Sequence, residues 1–230
     1  MNKTDFLKHN CGVSCNWLVH KIVMSALYDL FEKYIQGGKL IDIGCGTKPL
    51  ASYFKGRVDE HIGFDHPDCI HTHNNIDVLG DVYNMPFEDE TFDYAISTAV
   101  LEHLEEPQKA INQTCRILKK GGIAIFSAPF IWHIHEAPRD FFRYSEFGLK
   151  HLFEKAGFET LELIPLSGFW VTFGTLLCYN IERDKHFKLI RKLKLKNFVM
   201  NIIQKTAEKM DKKCKNTDWT WMTIIVAQKN

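Results

Sequence analysis

The sequence contains no apolar run of about 18 residues, which is the length a membrane-spanning helix needs. Its most apolar stretch, residues 168–179, is too short, and the N-terminus has no apolar signal-peptide core. The seven cysteines are odd in number and scattered, which does not favour a disulfide framework. With a net charge of only +1, nothing attracts the whole chain to nucleic acid. These absences predict a cytoplasmic α/β protein with free thiols, built as a single domain.

The charge is unevenly distributed along the chain. Residues 181–215 contain 12 Lys and Arg against 4 Asp and Glu, a local charge of +8, so the remaining residues carry −7. A basic helix is predicted over residues 185–213, and two interpretations of it stay open. It is either a solvated face covering the core, or a surface that docks on a membrane, a lipid-linked glycan or nucleic acid. The neighbouring stretch 168–179 is either a lid over a substrate pocket or a membrane-facing patch.

Hydrophobic periodicity predicts strands that alternate with helices, which favours a mainly parallel sheet with helices on both faces. The predicted helices cover residues 16–36, 106–122 and 145–158. The predicted strands cover residues 39–44, 60–65, 92–98, 122–129, 159–165 and 219–228. We divide the chain into an N-terminal helical cap (1–37), a core (38–165), a helical basic insertion (166–215) and a final strand (216–230).

The stretch LIDIGCGTKP, residues 40–49, joins a buried strand to a glycine-rich turn. Ligands of open α/β sheets bind beyond the carboxyl ends of the strands, and glycines there let a ligand approach the backbone. Asp42, Gly44 and Gly46 fit such a turn. Pro49 stands where a dinucleotide fingerprint has its third glycine, and no GK[ST] follows, so neither that fingerprint nor a P-loop is present.

Three further stretches follow in a fixed order and resemble four more motifs of a known family, with the third and fourth motifs both in residues 80–97. The stretch IGFD ends in Asp65, GDVYNMPFEDETFDYAIS spans residues 80–97, and AVLEHLEEP begins a segment that runs through residues 99–129. Together with residues 40–49 they resemble the motifs of class I S-adenosylmethionine (SAM)-dependent methyltransferases, and the resemblance covers roughly residues 38–165. It implies a Rossmann-like, doubly wound sheet of seven strands in the order 3-2-1-4-5-7-6, with the last strand antiparallel. It also implies SAM as the cofactor and S-adenosylhomocysteine as the product.

The resemblance assigns roles to individual residues at the cofactor site. Asp65 would accept the two ribose hydroxyls, Asp81 would meet the adenine amino group, and Val82 would pack near the base. Asp42 and Asp65 are alternatively acids that cap adjoining turns, and Cys45 is alternatively only a small residue in a tight loop. The full predicted cofactor set is Asp42, Gly44, Cys45, Gly46, Asp65, Asp81, Val82 and Ser97.

A second segment, FIWHIHEAPRDFFRYSEFGL at residues 130–149, concentrates histidines, charges and aromatic rings. It resembles a segment of methyltransferases from bacterial surface-polysaccharide and secondary-product pathways. It is either part of the substrate site or a structural latch of paired charges over packed rings. We predict His135 as general base with Glu136 orienting it; His103 is a second candidate base or a residue that fixes its loop. The predicted substrate residues are His133, Arg139, Arg143 and Tyr144.

A group of potential metal ligands at residues 66–73 has the spacing of no closed zinc site, so we predict a polar loop and no metal. The predicted reaction is methyl transfer from SAM to a small-molecule or glycan acceptor, on oxygen because histidines are abundant. The sequence STAV after the fourth motif, where an NPPY-like sequence would stand, counts against methylation of nucleic-acid amines. Nucleic acid is therefore not an expected partner, and peripheral membrane contact through the basic helix stays open. The alternatives are an RNA methyltransferase that uses the basic helix, or a non-catalytic SAM-binding scaffold or regulator.

Overall fold

The computed structural model of the chain describes residues 1–10, 15–69, 75–184 and 195–230. The helices are α1 Lys3–Asn10, α2 Trp17–Tyr34, α3 Ala51–Phe54, α4 Pro107–Ile117, α5 Glu146–Lys155, α6 Phe169–Arg183 and α7 Lys196–Lys213, with 3-10 turns at Leu101–His103 and Thr217–Trp219. The strands are β1 Lys39–Ile43, β2 Glu60–Asp65, β3 Val78–Leu79, β4 Phe92–Thr98, β5 Leu118–Pro129, β6 Phe158–Pro165 and β7 Met222–Lys229. None of the helices in these described ranges has the length and apolarity to cross a membrane.

The seven strands form one sheet in the order β3-β2-β1-β4-β5-β7-β6, with β7 antiparallel, as predicted. β1 pairs in parallel with both β2 and β4, so Asp42 lies beside Gly63 on one side and Ile96 on the other. From β1 the chain adds β2 and β3 on one side and then β4 and β5 on the other. In sheets of this kind the connections diverge between the two central strands, here β1 and β4, and leave a crevice beyond their carboxyl ends. The glycine turn that follows β1 lies at this crevice.

The core lies between the sheet and its covering helices, because the central strands carry apolar side chains on both faces. Ile41, Ile43, Ala95, Phe126 and Ile225 are each at most 2% exposed and belong to one continuous hydrophobic cluster. Near-continuous apolar strands of this kind are typical of a parallel sheet covered on both sides. Burial of these strands fixes the positions of the loops at their carboxyl ends.

Four elements differ from the predictions. Residues 168–179 belong to the helix α6. Val171 and Cys178 are buried on one side of this helix, whereas Trp170 and Leu177 are apolar and exposed on the other, so the apolar run did not identify the element as a helix. β5 begins at Leu118, four residues earlier than predicted, because a register shift beside β4 accommodates its glycines. The short strand β3 and the helix α1 were not predicted. The first part of the predicted basic helix lies outside the described residues; the described part is α7.

The chain divides into two compact units, which are described separately. The first contains Met1–Leu30, Ile131–His133 and Pro165–Met222. The second contains Phe31–Phe130, Ile134–Ile164 and Thr223–Asn230, and therefore the sheet apart from two end residues. The predicted boundary after residue 165 nearly coincides with a unit boundary, whereas the one after residue 37 falls inside the second unit. The single-domain assignment stays a prediction.

Candidate active site

The turn after β1 requires glycine at its first position. Gly44 and Gly46 have φ values of +71° and +54°, in the left-handed region that residues with a Cβ rarely adopt. The amides of Gly44 and Cys45 both donate to the carbonyl oxygen of Phe64, at 2.8 and 3.2 Å. A Cβ atom on Gly44 would lie 2.5 Å from Cγ2 of Val100. The turn is therefore fixed against β2 and leaves its backbone close to the crevice.

Two carboxylates at this edge of the sheet are held by backbone amides. Asp65, the last residue of β2, accepts hydrogen bonds from Gly46 N through Oδ2 and from His66 N through Oδ1, both at 2.7 Å. Asp81 accepts a hydrogen bond from Tyr83 N at 2.8 Å. Because an ionised carboxylate has about four acceptor sites, each group can still receive hydroxyl or amino donors from a ligand. Their orientation is set before any ligand arrives.

A cavity of about 610 Å³ opens beside these carboxylates at the carboxyl ends of the strands. This volume lies within the range of small-molecule and cofactor sites. All of its lining residues belong to the second unit. The predicted site residues among them are Gly44, Asp65, Asp81, Val82, His103, Glu136 and Arg139.

A family of proteins described as "Methyltransferase domain" matches residues 19–163, more than half of the chain. The chain belongs to this methyltransferase family. The resemblance to class I SAM-dependent methyltransferases is thereby confirmed, together with the sheet order it implied. The comparison with polysaccharide and secondary-product pathways stays a prediction.

Individual relatives are distant. The methyltransferase chain is 24% identical to 2-methyl-6-phytyl-1,4-hydroquinone methyltransferase 1 of Oryza sativa subsp. japonica over 161 residues, which cover 60% of this chain and 46% of that protein. It is 30% identical over 101 residues to demethylmenaquinone methyltransferase of Staphylococcus haemolyticus, covering 39% of this chain and 42% of that one. The chain thus spans less than half of the length of these relatives. The fold resembles that of a SAM-dependent methyltransferase from Thermotoga maritima, with TM-score 0.58, 18% identity, and coverage of 93% and 92%.

Four of the predicted cofactor residues do not line the cavity of this methyltransferase. Asp42 is buried, which raises the pKa of its carboxyl group, and its Oδ2 lies 3.7 Å from Nε2 of His61. Ser97 is buried and donates to the carbonyl oxygen of Ile43, so it joins β4 to β1. Burial raises the pKa of the Cys45 thiol to about 12, and Gly46 contributes its amide to Asp65. Asp42, Ser97 and Cys45 thus have structural contacts, and their direct contact with a cofactor stays a prediction.

The cavity rim brings together three of the predicted catalytic and substrate residues. His103, Glu136 and Arg139 line it, and Nδ1 of His103 lies 2.5 Å from the carbonyl oxygen of Arg139. The ring of His135 lies directly behind, with its centroid 4.8 Å from that of His103. His133 belongs to the other unit, where its ring packs against Tyr179.

Residues His71 and His73 of the predicted polar loop at residues 66–73 lie outside the described part of the chain.

The remaining predicted substrate residues form contacts expected of a latch. Arg143 donates to both carboxylate oxygens of Asp140, at 2.6 and 2.8 Å. This pairing holds the pKa of Asp140 well below its usual range and raises the pKa of Arg143. The hydroxyl of the buried Tyr144 donates to the carbonyl oxygen of Leu101 at 2.8 Å. Arg143 and Tyr144 thus stabilise the segment, and their contact with a substrate stays a prediction.

Sequence reasoning missed Glu102, the residue before His103. Its side chain is fully buried, and within the described ranges neither carboxyl oxygen has a hydrogen-bond partner. Oε1 lies 3.9 Å from Nε2 of His103 and 3.9 Å from Nε2 of His135. Burial raises the pKa of the Glu102 carboxyl group to about 8. The sequence does place an acid beside a histidine shortly after a predicted strand. An exposed turn often contains the same pair of polar residues, so the pair alone did not indicate a buried carboxyl group.

Proposed function

We propose that the chain is a methyltransferase that binds SAM in this cavity and transfers its methyl group to an oxygen of a small-molecule or glycan acceptor. The observation that carries the proposal is the carboxylate of Asp65, which accepts from Gly46 N and lines a cavity whose volume is in the range of cofactor sites. A carboxylate with two adjacent oxygens suits the two neighbouring hydroxyls of a ribose. Asp81 lies on the same cavity wall, where it would receive the adenine amino group.

Transfer of the methyl group needs alignment more than acid–base chemistry. The sulfonium of SAM activates the methyl group, so holding the acceptor oxygen in line with the S–CH3 bond supplies much of the rate, on the order of 7–11 kcal/mol in favourable cases. A hydroxyl acceptor must also lose its proton. We place this activation at the rim cluster of Glu102, His103, His135 and Glu136, because His103 and Glu136 line the cavity and the other two lie directly behind His103.

The cofactor assignment is tested by titration calorimetry with SAM and S-adenosylhomocysteine. Asp65→Ala should weaken binding of both by at least about tenfold, or about 1.4 kcal/mol. Asp68→Ala is the matched control, since Asp68 also lines the cavity and its substitution removes the same charge three residues after the end of β2. Equal affinity of wild type and Asp65→Ala, with an unchanged thermal unfolding curve, would refute the assignment of Asp65 to the ribose. Methyl transfer to candidate hydroxyl acceptors then separates an enzyme from a SAM-binding regulator.

We also propose that α7 contacts an anionic membrane surface. The residues Phe198, Ile202, Lys205 and Lys209 recur at helical spacing and are all exposed, so one face presents apolar and basic side chains together. This combination is typical of helices that lie in the membrane interface. Two relatives are named for methylation of phytyl-hydroquinone and demethylmenaquinone, which are lipid-like acceptors.

Vesicle flotation tests this surface. Vesicles containing anionic phosphatidylglycerol should bind the wild-type chain, vesicles of neutral phosphatidylcholine should bind it less, and Lys205→Glu/Lys209→Glu should abolish the difference. Lys150→Glu/Lys155→Glu on α5 is the control, because it makes the same charge change on a helix of the other unit. If both double variants bind as the wild type does, α7 is a solvated face. Binding to RNA with a steep salt dependence would favour an RNA methyltransferase instead.

A further inference from the structure

Three side chains with metal-binding atoms converge behind the cavity rim. One ligand atom each from Glu102, His103 and His135 lies within 4.8 Å of the others. Nε2 of each histidine is 3.9 Å from the same carboxylate oxygen, Oε1 of Glu102. Atoms that bind one tetrahedral zinc ion at 2.0–2.2 Å lie about 3.4 Å apart. The two distances to Glu102 therefore need to shorten by about half an ångström, and the distance between the two histidine atoms, which is at most 4.8 Å, by up to about 1.4 Å.

Both histidines are oriented as they are in protein metal sites. Nδ1 of His103 faces the carbonyl oxygen of Arg139 at 2.5 Å, and Nδ1 of His135 faces Oδ2 of Asp140 at 3.5 Å. In metal sites the nitrogen remote from the ion usually donates to a carbonyl or a carboxylate, which fixes the tautomer that can bind metal. Arg143 in turn fixes Asp140 through two hydrogen bonds. The two Nε2 atoms are thus directed at Glu102 by a second layer of contacts.

The carboxyl group of Glu102 is the independent indication of a ligand. It is fully buried, and neither oxygen has a hydrogen-bond partner within the described part of the chain. Burial of a carboxyl group without a partner is costly, so such groups are normally paired or coordinate a metal. The guanidinium of Arg143 is engaged by both oxygens of Asp140 and makes no hydrogen bond to Glu102. A divalent cation would supply the partner that the Glu102 carboxylate lacks among the described residues.

We propose that Glu102, His103 and His135 bind a divalent first-row transition metal ion of the zinc class, with the fourth coordination position open to water or to an acceptor. Glu136 lies beside this site, since its Oε2 is 3.8 Å from Nε2 of His103 and its side chain is 46% exposed at the cavity. Two imidazoles favour zinc, iron, cobalt or nickel over magnesium and calcium, which prefer oxygen ligands. This proposal replaces the expectation of no metal drawn from residues 66–73.

For its role in catalysis the metal site rests on the proposed methyltransferase function. With both Nε2 atoms occupied by the ion, neither imidazole would be the base; Glu102, His103 and His135 would hold the ion, which would make the proton of a bound acceptor hydroxyl easier to lose. The Glu136 carboxylate beside the site, or solvent, would take that proton. The acceptor oxygen would then form its bond to the methyl carbon as the sulfur of SAM leaves with the bonding electrons. The acceptor class is therefore a hydroxyl compound that can enter the coordination sphere of the ion.

The site is tested on the full chain after treatment with a chelator. Calorimetry with Zn²⁺ should give one tight site per chain, and Co²⁺ should give visible absorption bands typical of four- or five-coordinate nitrogen and oxygen ligation. Glu102→Gln and His135→Ala should each weaken Zn²⁺ binding by about 100-fold or more, because even second-layer substitutions cost 10- to 100-fold. His151→Ala is the control, since His151 is exposed on α5 and away from the cluster.

Several results would overturn the proposal. One is the absence of stoichiometric Zn²⁺ binding by the wild type, and another is equal Zn²⁺ affinity of Glu102→Gln and wild type. Circular dichroism of the metal-free proteins shows whether each variant is folded. If His135→Ala does not fold, the Zn²⁺ affinity of the near-isosteric Glu102→Gln tests the metal site. Calorimetry with SAM on the same samples keeps the two proposals distinguishable. If SAM binds and Zn²⁺ does not, only the proposed metal site is refuted. If SAM does not bind, the proposed methyltransferase function is refuted.

Discussion

The substitution Gly44→Ala tests whether the glycine turn is as tightly fixed as its geometry indicates. The new methyl group would lie 2.5 and 3.0 Å from the two Cγ atoms of Val100, and alanine would be held at a φ of +71°. The left-handed conformation costs roughly 1–2 kcal/mol for a residue with a Cβ. Overpacking against a fixed neighbour costs about 1–3 kcal/mol more. We therefore expect the free energy of unfolding to fall by about 2–5 kcal/mol, measured by urea denaturation.

Two further variants separate these contributions. Gly37 has a φ of +64°, and a Cβ atom added to it would meet no atom within 4 Å beyond its chain neighbours, so Gly37→Ala should show the conformational cost alone, about 1–2 kcal/mol. Val100→Ala in the Gly44→Ala background removes the colliding methyl groups. A double-mutant cycle should then give a favourable coupling of about 1–3 kcal/mol between positions 44 and 100.

The reasoning fails if Gly44→Ala is no more destabilising than Gly37→Ala, or if the cycle gives no coupling. Either result would mean that Val100 moves aside freely and that the turn does not have the rigidity ascribed to it. Because Gly44 and Val100 both line the cavity, Gly44→Ala should also weaken SAM binding. Calorimetry on the folded fraction at low urea measures that effect separately from stability.

Two other predictions concern groups around the site. Tyr144→Phe removes the hydrogen bond to the carbonyl oxygen of Leu101 and should lower the free energy of unfolding by about 1 kcal/mol in urea denaturation; no change would mean that this bond does not hold the 3-10 turn. Since the pKa of Cys45 is raised to about 12, roughly one molecule in ten thousand carries its thiolate at pH 8. Thiol reagents should then modify the exposed Cys214 at pH 8 and leave Cys45 unmodified until the chain unfolds. Mass spectrometry of peptides measures the order of modification, and reaction of Cys45 before Cys214 would contradict the prediction.

The fold was predictable wherever the hydrophobic pattern had one clear period. β2 and β4 have the bounds that were predicted, Glu60–Asp65 and Phe92–Thr98, because apolar runs bounded by polar residues admit only one strand position. The helix α5 starts at Glu146, one residue after the predicted start at residue 145, and Ser145 Oγ caps it by accepting from Gly148 N. α6 was not predicted as a helix, because Phe169–Arg183 carries apolar side chains on both its buried and its exposed faces, and such an apolar run does not by itself distinguish a helix from a strand.

The site was predictable only where backbone conformation and sequence are linked. Position 44 needs glycine because of its positive φ and the close approach of Val100, and Asp65 is the last residue of β2. Short motifs of a strand followed by a turn therefore identified both residues as lying at the cavity. Glu102 was not found, because only the folded structure shows that its side chain is buried. Part of its surroundings comes from the loop around His135, which lies 33 residues later in the chain. Contacts between segments so far apart depend on packing that no local pattern encodes.

The two sides of the cavity differ in how well their carboxyl groups are hydrogen-bonded. On the side proposed to bind the cofactor, Asp65 already accepts from the amides of Gly46 and His66, so a nucleoside would meet groups that are ordered before it arrives, which lowers the entropic cost of binding. On the side proposed to bind the acceptor, the buried carboxyl group of Glu102 faces two imidazole nitrogens at 3.9 Å with no hydrogen bond among the described residues. A folded chain tolerates such a group when binding compensates for its burial, so the cost of leaving Glu102 unsatisfied is itself an argument that the rim acts by capturing a cation.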